Sequence, residues 1–107
     1  MHTERIGVRE LEDKVREGRP APVRVGATDN PDRRAGEYAN EKEKGNKNKK
    51  KYSENATMYY AKTSNMNYAE NRLLAICDSR GVCRCNSQMS SNVPASASEG
   101  YVYAIFP

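Results

Sequence analysis

The chain has 107 residues, of which 36% are hydrophobic and 30% are charged, and its formal net charge is +4 at pH 7. This length suits one domain with a modest core, so we expect a single domain over residues 1–107 and exclude two. Because the sequence has no apolar stretch long enough for a signal peptide or a membrane span, we expect an intracellular protein, cytoplasmic or nuclear, with no membrane partner.

The first part of the chain predicts two helices with a strand between them. Apolar residues at helical spacing indicate a helix over residues 6–18. The β-branched residues around 22–26 indicate a short strand. Asn30 is a helix N-cap, and Pro31 suits the first helical position, where its missing N–H costs nothing. This second helix ends near Glu41.

The second part of the chain alternates between polar connections and regular elements. Residues 42–56 are predicted to be a flexible basic loop, and residues 57–63 have the aromatic and β-branched composition of a strand. A helix follows the N-cap residue Asn65 and ends near residue 79. The serine-rich residues 79–99 are predicted to be an irregular connection, and residues 100–106 a third strand.

These elements indicate an α+β fold, in which a small antiparallel sheet of about three strands packs with two to three helices. The C-terminal strand belongs in that sheet because two short strands alone are marginally stable in water. Side chains alternate along a strand. The two faces of residues 100–106 are therefore predicted to carry Tyr101, Tyr103 and Ile105 on one side, and Val102, Ala104 and Phe106 on the other.

The clearest local charge is the run KEKGNKNKKK, residues 42–51, with six lysines and one glutamate. Such a run is either a solvated loop or a site for a polyanion. DNA is the expected partner in the second case, through contacts to its phosphates. The candidate nucleic-acid-binding residues are Arg24, Arg33, Lys47, Lys49, Lys50 and Lys51.

The stretch VGATDNPDRRAGEY, residues 25–38, resembles the second half of the signature of GIY-YIG nucleases. In that family a strand ending in YIG leads into a helix that carries a catalytic arginine, with His or Tyr one turn later. By this resemblance Arg34 matches the arginine and Tyr38 the residue one turn later. Glu70 matches the glutamate that binds a single divalent metal, Mg or Mn, and Asn92 a late asparagine that supports the site.

The sequence departs from the family pattern at its tyrosines. Arg24 stands where the tyrosine of YIG would be, and no GIY segment precedes it. A similar string, GYVY, occurs at residues 100–103, and Tyr103 would match the GIY tyrosine if the sheet were built in permuted order. The resemblance therefore implies that Tyr103 lies near Arg34.

The three cysteines are an odd number, which argues against a closed disulfide framework. Cys77 is interpreted as a packing residue on its helix, with Cys83 and Cys85 as free thiols or a labile pair. These residues and His2 do not have the spacing of a four-ligand zinc site.

Each site residue also has a purely structural interpretation. Arg34 can be a surface arginine beside Asp32 and Glu37, and Glu70 can be an exposed helix residue. Most of the tyrosines can belong to the core.

Three classes of function stay open at this point. The first is a metal-dependent DNA endonuclease or repair-type nuclease centred on Arg34 and Glu70. The second is a non-catalytic DNA-binding module that uses the Lys-rich loop and needs no cofactor. The third is a protein-interaction domain.

Overall fold

Strands and helices alternate along much of the chain. The computed structural model describes residues 1–43, 45–80 and 99–107. Within these residues the elements are, in order, β1 (His2–Arg5), α1 (Val8–Glu17), β2 (Arg24–Thr28), α2 (Pro31–Ala39), β3 (Lys42–Glu43), β4 (Asn46–Lys50), β5 (Thr57–Thr63), α3 (Met66–Arg80) and β6 (Gly100–Phe106). The three predicted helices and the three predicted strands are present, with ends that differ by no more than two residues.

The main sheet has four strands in the order β1-β5-β6-β2. β6 pairs antiparallel with both of its neighbours, and Tyr103 lies opposite Tyr60 on one side and Gly26 on the other. The predicted α+β fold is therefore confirmed, and so is the pairing of the C-terminal strand within the same sheet. This strand joins the two halves of the sheet.

The edge strand β1 makes the sheet mixed rather than fully antiparallel. It pairs in parallel with β5, with His2 opposite Thr57 and Arg5 opposite Tyr60. The sequence HTER gives no strand signal because it is short and lacks apolar alternation. Its pairing depends on a partner strand far along the chain, which local sequence cannot specify.

Residues 42–56, predicted to be a loop, contain a two-stranded hairpin formed by β3 and β4. Gly45 has a φ of 85° at the turn, a backbone conformation that glycine adopts without strain. The side chains of Lys49 and Glu43 pair across the hairpin at 3.7 Å, and the N–H of Lys51 donates to the carbonyl of Glu41 at 2.9 Å. All five residues of β4 are exposed, so no buried face announces the hairpin in the sequence.

Most of the predicted connection over residues 79–99 lies outside the described residues, as do Cys83 and Cys85. Cys77 is buried in the core, as its interpretation as a packing residue predicts, and it is also disulfide-bonded. Its partner cysteine lies outside the described residues. An odd number of cysteines argues against a complete framework but does not exclude one local pair.

The sheet has two faces that differ in their packing. On the first face, the apolar sides of α1 and α3 bury residues such as Leu11, Leu73 and Val102. On the second face, α2 and the segment around Tyr52 cover a smaller cluster that includes Tyr103. The alternation predicted for β6 is therefore observed. Fully burying a large apolar side chain contributes about 1.5–3 kcal/mol, so the larger first cluster is the main source of stability.

Helices α2 and α3 begin with the same cap. The hydroxyl of Thr28 accepts from the N–H of Asn30 at 3.1 Å, and the Asn30 side chain accepts from a backbone N–H three residues later at 3.1 Å. Thr63 and Asn65 repeat both bonds before α3, at 3.1 and 2.9 Å. Both Thr-x-Asn caps follow strands that run in the same direction, so both helices start at the same end of the sheet.

Candidate functional site

Two buried tyrosines form the centre of the second face. Tyr38 on α2 and Tyr103 on β6 are only 3% and 2% exposed, and their hydroxyls hydrogen-bond to each other. The edge of Tyr52 contacts Tyr38 with ring centroids 5.5 Å apart. Because Tyr52 follows the β3–β4 hairpin directly, this contact attaches the base of the Lys-rich hairpin to the centre of the site.

Gly26 on β2 provides the space that Tyr103 occupies. A Cβ atom at this position would overlap the hydroxyl and ring of Tyr103. The glycine that resembles the end of YIG therefore has a steric role here, because its missing side chain lets a tyrosine ring from the neighbouring strand lie across it.

Two guanidinium groups lie against the Tyr38 ring. The Cζ atom of Arg24 is 5.0 Å from the ring centroid and that of Arg34 is 4.7 Å from it, both within the range of cation–π contacts. Nη1 of Arg34 also donates to Oε2 of Glu37 at 2.6 Å. These two arginines and three tyrosines, Arg24, Arg34, Tyr38, Tyr52 and Tyr103, are called the tyrosine–arginine cluster below.

Both arginines of the cluster stay positively charged. Burial acts to lower the pKa of Arg34, but hydrogen bonds to Tyr103 and Glu37 outweigh it and raise the pKa above its ordinary value. For Arg24, burial is again outweighed, by interactions with Tyr38 and Tyr52. The buried Nε of Arg24 has no hydrogen-bond partner within the described residues.

The hydroxyl of Tyr103 stays protonated at neutral pH. Burial raises its pKa, and the neighbouring Tyr38 raises it further, while Arg34 acts in the opposite direction without cancelling them. The hydroxyl thus keeps its proton. The predicted proximity of Tyr103 and Arg34 is confirmed, since Arg34 lies against the ring of Tyr38 and the Tyr38 hydroxyl bonds to that of Tyr103.

Glu70 and Arg34 lie on helices that cover opposite faces of the sheet. Glu70 is 6% exposed on α3, whose residues Ala69 and Leu73 pack on the first face, whereas Arg34 belongs to the helix on the second face. Its alternative interpretation as an exposed residue is therefore wrong. Asn92 lies outside the described residues.

A divalent-metal site does not take shape around Glu70 in the part of the chain that the structure describes. Hard cations such as Mg²⁺ take several oxygen ligands. Within residues 1–43, 45–80 and 99–107, however, no three His, Cys, Asp or Glu side chains are grouped so as to hold a metal ion.

The remaining predicted nucleic-acid contacts lie at the surface. Lys49, Lys50 and Lys51 pair with glutamates at 3.7, 4.0 and 3.5 Å, and Lys47 is exposed on β4. Arg33 pairs with Asp29 at 3.1 Å. Exposed ion pairs contribute little to the free energy of unfolding, so a phosphate can replace these carboxylates at a small cost in stability.

Sequence reasoning missed the roles of Tyr52 and Gly26. Tyr52 follows six residues of lysine and asparagine, and no periodic pattern links it to Tyr38. Gly26 was noted as part of a motif, but its need for space depends on the register between β2 and β6.

No protein-family model matches the chain, and neither the curated proteins nor the solved structures give a significant match. Among the described residues, no helix is both long enough and apolar enough to cross a membrane. The function is therefore argued from the site alone.

Proposed function

We propose that this protein binds nucleic acid, with DNA as the expected partner, through the β3–β4 hairpin and the tyrosine–arginine cluster. The observation that carries the proposal is the position of Tyr52. It follows the lysines of the hairpin and packs against Tyr38, whose ring also contacts Arg24 and Arg34. One ring contact thus connects the exposed lysines of the hairpin with the arginines that lie against Tyr38.

The two kinds of cation suit different tasks. The guanidinium groups of Arg24 and Arg34 are held by aromatic rings, and planar guanidinium donors match the geometry of phosphate oxygens. The hairpin lysines are exposed point charges that add sequence-independent attraction. The cluster would position the phosphate backbone, and the hairpin would increase affinity.

The test is the salt dependence of binding to duplex DNA. Each phosphate that the protein neutralises contributes about −0.9 to the log–log slope of affinity against salt. The double variant Lys47→Ser, Lys49→Ser should lower the affinity and flatten the slope by up to about 1.8. The charge-matched control is Arg9→Ser, Arg16→Ser, on α1 at the first face, and it should leave the slope unchanged.

Two outcomes would contradict the proposal. Equal slopes for the hairpin and control variants would remove the hairpin from the binding surface. No binding to DNA at low salt would overturn the whole proposal and favour the protein-interaction class.

A second candidate function, divalent-metal-dependent cleavage of DNA, is supported by the proximity of Arg34 and Tyr103. An arginine fork stabilises negative charge on a phosphoryl group. The wild type would nick plasmid DNA in the presence of Mg²⁺ or Mn²⁺, and Arg34→Ala would abolish nicking.

The adjacent variant Arg33→Ala is the matched control, because Arg33 is exposed and pairs with Asp29. It should retain nicking. A wild-type protein that binds DNA but nicks it with neither metal would contradict this candidate and leave the binding function in place.

A further inference from the structure

On the second face, the part where β5 and β6 extend beyond the tyrosine–arginine cluster is left open by the described residues. Tyr60 and Tyr101 lie there, both partly exposed, with ring centroids 5.6 Å apart and planes at 78°. This pair differs from Tyr38 and Tyr103, which are buried. Aromatic surface is therefore available to a ligand at this part of the face.

Positive side chains surround the two rings. The Cζ atom of Arg5, on the edge strand β1, is 5.9 Å from the Tyr101 centroid. Lys62 lies opposite Tyr101 in the sheet register, and its Nζ pairs with Glu99 at 3.3 Å. That pair is exposed on both sides, so it can open without a large cost. Two tyrosine rings thus lie close to Arg5 and to Lys62, and Lys62 can exchange its carboxylate partner for a phosphate.

This combination fits one kind of ligand better than others. Bases carry flat apolar faces and phosphates carry negative charge, so tyrosines between cations can stack a base and neutralise its backbone. In a duplex each base face is covered by the next base pair. A stacking surface on a sheet can therefore be used only by unpaired nucleotides.

We propose that Tyr60 and Tyr101 form a stacking site for an unpaired nucleotide of single-stranded nucleic acid, with Arg5 and Lys62 on its phosphates. The inference rests on the proposed nucleic-acid binding and deepens it by naming the substrate class. It assigns duplex phosphate contacts to the hairpin and base contacts to the open part of the sheet.

The test compares an oligothymidylate and an oligouridylate of about 16 nucleotides with a duplex of the same length, by fluorescence anisotropy. Tyr60→Leu and Tyr101→Leu remove the aromatic faces but keep apolar volume for packing. Each should weaken binding to the single strands about ten-fold or more and leave duplex affinity unchanged. Tyr60→Phe and Tyr101→Phe should keep the wild-type affinity, because stacking needs the ring and not the hydroxyl.

The matched control is Tyr68→Leu, because Tyr68 is 64% exposed on α3. It should change neither affinity. If the Leu variants weaken binding to the DNA and RNA strands equally, the site recognises the base and phosphate chemistry that both share. A larger effect on one of them would identify that nucleic acid as the ligand. Retained duplex binding in every Leu variant also shows that the fold is intact.

Two results separate the failure of this inference from the failure of the proposed function. The stacking site alone would be overturned if the wild type binds duplex and both Leu variants keep the wild-type affinity for single strands. It would also be overturned if the Leu variants lose affinity for single strands and duplex equally. No binding of the wild type to any of the three nucleic acids would overturn the proposed function, and the stacking site with it.

Discussion

Tyr103 is the residue through which the sheet, α2 and the candidate site are connected. Its hydroxyl bonds to that of Tyr38, its ring occupies the space above Gly26, and Arg34 interacts with its oxygen. A change at any of these neighbours therefore acts through the same ring. Both stability and function at the second face depend on its position.

Gly26→Ala should destabilise the protein by about 1–3 kcal/mol, the usual cost of overpacking a well-packed site. The added methyl group overlaps Tyr103, so the ring must move. Urea unfolding of Gly26→Ala, with and without Tyr103→Leu, measures this coupling. An equal cost in both backgrounds would show that the ring is not the obstacle.

Alkaline pH should destabilise the protein through Tyr103. Its pKa is raised above the ordinary value of 10.0, first by burial and then by Tyr38. Above pH 10 the unfolded chain releases this proton while the folded protein keeps it, so unfolding becomes more favourable. One such group lowers the free energy of unfolding by about 1.4 kcal/mol per pH unit, and below pH 10 its contribution is constant.

The measurement is urea unfolding of the wild type and Tyr103→Phe from about pH 8 to about pH 11. The variant lacks this proton, so its stability should decline less steeply at the alkaline end. Parallel curves for the two proteins would assign the alkaline loss to other groups.

At the scale of elements, the repeated Thr-x-Asn cap explains how two helices start at one end of the sheet and cover opposite faces. The cap fixes where each helix begins, since Asn30 and Asn65 accept the N–H of residues Arg33 and Tyr68. The face that each helix covers is decided by its own apolar side chains. The first residue of each helix and the face of the sheet that it covers are therefore specified by different residues.

Asn30→Ala and Asn65→Ala should each cost about 1 kcal/mol, the typical value of a lost N-cap, and the double variant about 2. The two caps lie on different helices and share no partner, so their effects should add. Asn48→Ala, on the exposed strand β4, is the control and should be nearly neutral. Strong non-additivity in chemical denaturation would show that the two strand–helix units are coupled.

For the molecule as a whole, the main hydrophobic core and the candidate site lie on opposite faces of one sheet. On the first face α1 and α3 are joined by apolar packing and by the bond from Nε of Arg72 to Oε2 of Glu12, at 2.6 Å. On the second face the buried cluster is smaller and includes the tyrosines Tyr38, Tyr52 and Tyr103. Variants at the surface of the second face can therefore change binding while the main core stays intact.

Truncation after Glu99 should abolish cooperative unfolding, because β6 joins β2 to β5 and contributes Val102 and Ala104 to the first face. Thermal melting followed by circular dichroism measures this. The control is a chain truncated after Phe106, which loses only an exposed residue and should melt like the full chain. A melting curve of the shorter chain that matches the full one would show that β6 is dispensable.

Much of this fold could be predicted where local sequence decides the structure. The caps at Asn30 and Asn65 and the bounds of β5 and β6 follow from residue types and alternation. The spacing of Arg34 and Tyr38 could also be predicted, because a strand, a turn and a helix fix it. These are short-range relations.

The features that could not be predicted depend on distant partners. β1 has no apolar pattern, and its register is set by β5. The hairpin is exposed, so no buried face marks its strands, and the contact of Tyr52 with Tyr38 crosses two elements. The disulfide at Cys77 depends on where another cysteine lies in space, which the number of cysteines does not reveal.

The order of the strands also has a consequence for biosynthesis. β1, β2 and β5 are made before β6, yet β2 can join the sheet only when β6 pairs with both β5 and β2. A nascent chain therefore carries unpaired strand edges and uncovered apolar side chains until residues 100–106 have left the ribosome. Such exposed edges favour association with other chains. We expect this protein to fold after, rather than during, the synthesis of its sheet.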